Sequence, residues 1–115
     1  MSWYVLVEAN ESYSGDDRWE LVAKVPVDGG REAAVAHAEE MSQTYTRGTA
    51  PERQGRLVFR TSPTSWLVEL SRSVWYDGSR TPTTLTRHLR ISVAELLLAR
   101  EPVPAEPPKK SRLRR

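Results

Sequence analysis

The stretch from Arg56 to Trp75 constrains the chain most. Two β-rich runs, one around Leu57-Val58-Phe59 and one around Trp66-Leu67-Val68, flank a Ser/Pro/Thr break. That pattern reads as a β-hairpin. It holds the only Phe and two of the four Trp, so it is expected in the middle of a single antiparallel sheet. Alternation puts Leu57, Phe59, Trp66, Val68 and Leu70 toward a helix, and Val58, Arg60, Leu67 and Glu69 on the opposite face.

The other elements follow from similar signals. Trp3–Glu8 is a β-rich run with apolar residues of both parities. In 18–25, Trp19, Leu21, Ala23 and Val25 form one face, expected to point inward, and Pro26 is expected to end the strand. Asp28 is the expected N-cap of a helix over 31–46. Ala34, Ala38, Met41 and Tyr45 make its apolar stripe, at spacings of three and four residues. A fifth strand is read over 84–91, with Leu85, Leu89 and Ile91 inward and Thr86, His88 and Arg90 outward. Ser92-Val93-Ala94-Glu95 has the form of a capping box and predicts a short helix to about Arg100, stopped by Pro102.

The expected fold class is therefore α+β: one antiparallel sheet of about five strands, in the chain order β-β-α-β-β-β-α. The main helix packs on one face, a short C-terminal helix follows, and a basic tail closes the chain. At 115 residues, a single domain over 1–101 is expected, followed by a Pro-rich, disordered tail over 102–115.

Charge is divided unevenly along the chain. The formal net charge is +2, yet the tail alone carries Lys109, Lys110, Arg112, Arg114 and Arg115 against Glu106. The rest of the chain holds 12 basic and 14 acidic residues and is slightly acidic. The tail could contact nucleic acid or another anionic partner, with weak, salt-sensitive binding, or serve only as a solubilising terminus.

No Cys is present, which excludes disulfides, thiolate chemistry and Cys-based zinc sites in these residues. No apolar run approaches the roughly 20 residues of a membrane span, and the opening residues lack a basic leader, so the cytoplasm is the expected location.

Candidate chemistry is sparse. His37 has Glu40 three residues on, which suits either an oriented base or a histidine partly buried at the helix margin. His88 stands near Arg87 and Arg90, as part of an anion site, a catalytic pair with His37, or an ordinary surface group. A small enzyme using His37 or His88 is one alternative, although no nucleophile, third ligand or catalytic motif accompanies them. Gly29-Gly30 at a helix start lacks the spacing of a phosphate-binding loop. No cofactor is implied.

The outward sheet face offers more. Val58, Arg60, Leu67, Glu69, His88 and Arg90 mix apolar and charged side chains in a way that suits a protein interface. The leading expectation is a small non-catalytic binding or accessory module using that face, with a protein partner or a second copy. A nucleic-acid-associated protein acting through the tail is the other alternative.

Overall fold

A computed structural model describes residues 2–10, 18–46 and 53–109. The elements run β1 (Trp3–Asn10), β2 (Trp19–Val27), α1 (Gly30–Thr44), β3 (Gly55–Ser62), β4 (Ser65–Val74) and β5 (Thr83–Glu95). Every ladder is antiparallel, and the five strands form one sheet in the order β2-β1-β5-β4-β3. The fold is α+β with a single helix among the described residues, and that helix links the two edge strands across one face of the sheet.

The core lies between that helix and the three central strands. Val5, Val7 and Ala9 of β1, Leu89 and Ile91 of β5, and Trp66, Val68 and Leu70 of β4 are buried. Each set has the two-residue spacing that puts side chains on one face. Ala34 and Ala38, both fully buried, meet them from the helix, and Met41 and Tyr45 continue the stripe at partial burial. Alanine at the closest positions brings the helix backbone near the sheet. Ser42 is the one buried polar residue among those described, and its hydroxyl donates to the Glu39 carbonyl at 2.6 Å.

Both helix ends differ from the sequence expectation. Gly29, and not Asp28, occupies the N-cap, with φ 105° and no side-chain cap. Gly30 follows at φ 86°. Two consecutive residues at positive φ call for the glycine pair, and they leave Asp28 outside the cap. The helix stops at Thr44, two residues before the expected end. There Arg56 of β3 reaches across and donates to the carbonyls of Ser42 (2.8 Å) and Tyr45. A cation thus satisfies carbonyls that a helix C-terminus leaves unpaired. Burial pulls the Arg56 pKa below its ordinary value, and the group remains a cation.

Two β-bulges, one in each edge strand, overturn part of the face assignment. In the β1–β2 ladder Val7 faces Ala23 but Glu8 faces Leu21, so Val22 is the extra residue. Beyond it the parity of β2 reverses. Val22 packs on the core, while Leu21 and Trp19, expected inward, pair with Glu8 and Asn10 on the helix-free face. In the β3–β4 hairpin Ser62 faces Ser65 but Arg60 faces Trp66, so Thr61 is the extra residue. Val58 and Arg60 therefore take the helix side, and Leu57 and Phe59, expected to be core, lie opposite at 53% and 52% exposure. Without Thr61 as a bulge, the same turn would have aligned Phe59 with Val68, as alternation suggests.

The predicted second helix is replaced by strand. Ser92 to Glu95 belongs to β5, where Ala94 faces Tyr4 and Glu95 faces Trp3. Val93 donates to the Thr64 carbonyl at 2.9 Å and packs on the core. An available ladder on β1 and the packing of a partly buried valine outweigh the local capping signal. Residues 96–109 have no regular structure and are exposed; Lys110, Arg112, Arg114 and Arg115 lie outside the described residues. Pro26 does not end β2, which runs to Val27. β2 pairs on one side only, so a residue lacking an N–H is tolerated there.

The close helix–sheet contact makes a prediction. Ala38→Leu should lower unfolding stability by about 1–3 kcal/mol in urea titration, because added methylenes have no room. Gln43→Ala, on the exposed side of α1, should stay within about 0.5 kcal/mol.

Candidate functional site

The helix-free face of the sheet is where the described residues gather exposed apolar and charged groups. Cross-strand pairing sets them in rows. One row reads Leu21, Glu8, Arg90, Leu67, Phe59 from edge to edge; the next reads Trp19, Asn10, His88, Glu69, Leu57. Each row has apolar residues toward the edges and polar or ionic ones in the middle. The bulges create this arrangement, since they turn Trp19, Leu21, Leu57 and Phe59 onto this face.

The ionic centre is internally paired. Arg90 donates to Glu8 Oε2 at 3.3 Å, and its guanidinium lies over the Trp19 ring, 3.9 Å from the centroid. His88 Nε2 stands 3.4 Å from Glu69 Oε1. All four ionisable groups are partly exposed, with side-chain accessibilities between 34% and 47%. Pairs of this kind contribute little to stability, because water already solvates each charge. They do fix the orientation of their side chains. Leu21, Leu57 and Phe59 flank them at about half exposure.

Of the expected partner residues, Leu67, Glu69, His88 and Arg90 lie together on this face. Val58 and Arg60 do not. Arg60 is on the helix side, 5.5 Å from the Trp66 ring centroid, and donates to the carbonyls of Ser62 and Pro63 in the hairpin turn. Those hydrogen bonds brace the turn. Sequence reasoning missed Trp19, Leu21, Leu57 and Phe59. Their signal was an ambiguity: in both edge strands apolar residues occur at both parities.

The histidines are not brought together. His37 is exposed on α1, not buried at the helix margin, while His88 lies on the sheet face opposite the helix. The sheet separates them, so they form no catalytic pair. Among the described residues no group of three or more His, Asp or Glu is placed to hold a metal ion, and no helix is long and apolar enough to cross a membrane.

Comparison with protein-family models, with curated proteins and with solved structures finds no match to this chain.

The Arg90 cluster can be measured directly. In a double-mutant cycle, Arg90→Met and Trp19→Leu should couple by about 0.5–1 kcal/mol in denaturant unfolding, the range for an exposed cation–π contact. Coupling near zero would mean the stacked geometry is not held in solution.

Proposed function

We propose that this protein is a non-catalytic binding module that engages a protein partner through the helix-free face of its sheet. The observation that carries the reading is the band described above. An apolar rim of Trp19, Leu21, Leu57 and Phe59 flanks the Arg90–Glu8 and His88–Glu69 pairs, on a face that no helix among the described residues covers.

The physics favours a protein over a small ligand. The band is broad, and its four ionic groups are already paired with one another, so it offers contact area and orientation. Interfaces are enriched in aromatic residues and Arg, with apolar area that gains from leaving water. Burying Leu57, Phe59 and Leu21 together supplies such a gain without exposing any new unpaired charge.

Affinity capture from the native host tests the reading. The tagged chain should retain a protein partner, and Leu57→Glu with Phe59→Glu should reduce retention at least about tenfold, the effect of roughly 1.4 kcal/mol or more. Gln43→Glu on the helix should leave retention unchanged. Retention unaffected by the sheet-face pair would reject the proposal.

A second reading assigns the basic tail an anionic partner, nucleic acid in particular. It rests on the five cations among residues 109–115. Binding of single- or double-stranded DNA or RNA should then weaken steeply between low and moderate salt and vanish on deletion of 102–115. Absence of binding at low salt would remove this reading and leave the sheet face as the only proposed surface.

A further inference from the structure

The chain leaves the sheet after Glu95. The Leu96 N–H is tied to the Ser2 carbonyl at 2.8 Å, which roots the departing segment against the start of β1. From Leu96 to Lys109 every residue is exposed and none belongs to a helix or strand. Val103 is 90% exposed. The body of the protein buries no residue of this arm, so its apolar groups are free to meet another molecule.

Prolines control the backbone of the arm. In Glu101-Pro-Val-Pro-Ala-Glu-Pro-Pro108, every residue except Ala105 is a proline or precedes one. Proline holds φ near −65°, and the residue before it is pushed out of the helical region into extended conformations. No peptide bond among the described residues is cis. Together these constraints confine the stretch to the neighbourhood of polyproline II, a left-handed helix that makes no hydrogen bonds of its own. Residues 101–108 then span about 25 Å, at roughly 3.1 Å per residue.

Polyproline II has three residues per turn, which sorts the side chains into ridges. Pro104 and Pro107 fall on one, Pro102, Ala105 and Pro108 on a second, and Val103, Glu106 and Lys109 on the third. Two adjacent ridges are wholly apolar. The third ends in a cation just past the last proline.

We infer that this arm is a ligand for another protein. Residues 103–109, with the spacing Pro-x-x-Pro-x-Lys, dock as a polyproline II helix in the groove of an SH3-type domain, lined by aromatic side chains and closed at one end by an acidic pocket. The chemistry of the arm selects that partner. Its proline ridges offer flat apolar faces to aromatic rings, and its restricted backbone has little conformational entropy left to lose on binding. Lys109 pairs with the acidic pocket and fixes the register of the helix in the groove. A nucleic acid would use the cations and gain nothing from the proline spacing. A spacer would use the stiffness alone and leave Val103 and both apolar ridges in water. The arm lies apart from the helix-free sheet face, so this surface is additional to the one proposed above.

Calorimetric titration of the full chain against a set of isolated SH3 domains that accept a basic residue after Pro-x-x-Pro tests this. At least one should bind saturably, one to one. Pro104→Ala with Pro107→Ala keeps every charge and should raise the dissociation constant at least about tenfold. Lys109→Glu should weaken binding as well, while Leu57→Glu with Phe59→Glu should leave it unchanged. The thermal melt of the proline variant should match that of wild type, since the arm is exposed. Absence of binding to every domain in the set would overturn the inference, as would binding that is indifferent to the two prolines and lost at moderate salt. A chain that loses its host partner on changes at Leu57 and Phe59 but binds no SH3 domain would reject the arm's role alone.

Discussion

One helix serves five strands, and the rest of the molecule depends on that disproportion. At about 1.5 Å per residue, α1 is roughly 22 Å long and one helix wide, so it can cover only the middle of a single face. The ten buried apolar residues among those described lie where it reaches: on β1, β5 and β4, and on the helix itself. Ala34 and Ala38 give this contact its closeness. Arg56 then ties the far end of the helix to the β3 edge through hydrogen bonds to the Ser42 and Tyr45 carbonyls.

The edge strands are free to depart from regularity because little is packed on them. A bulge in a central strand would disrupt two ladders and misalign buried side chains. At Val22 and Thr61 it disrupts one. The outcome is economical in chemistry: four large apolar side chains that could have crowded the margin of the core instead face outward, beside charges that neutralise one another.

What could be read from the sequence divides along nearly the same line. The inward positions of β4 and β5, Trp66, Val68 and Leu70, and Leu89 and Ile91, were legible from alternation, whereas central β1, with Tyr4-Val5-Leu6-Val7, carries apolar residues at both parities and gave no inward face. The helix stripe was legible from its own spacing. The edge strands carried apolar residues at both parities, Leu21 beside Val22 and Val58 beside Phe59, and a single extra residue decides between them. No local pattern reveals that residue, since it is chosen by how each strand meets its one neighbour. Thus four of the six expected partner-face residues, Leu67, Glu69, His88 and Arg90, share the helix-free face, while the positions of Val58 and Arg60 there are taken by their sequence neighbours. At Ser92 a sound local signal for a helix met a stronger non-local one, the open ladder of β1 and the apolar contact of Val93.

The adjacency of β1 and β5 at the middle of the sheet has a consequence for how the fold is reached. β3, β4 and β5 form a meander whose turns are short enough to close early and locally. β1 and β2 can pair as a ribbon, but a two-stranded ribbon alone is only marginally stable. The ladder that joins the two halves brings Trp3 against Glu95 and Asn10 against His88, across nearly the whole described chain. Its loop-closure entropy must be met before Val5 and Val7 find Leu89 and Ile91. The central joint, the best buried part of the finished sheet, is therefore the part that topology makes slowest to assemble.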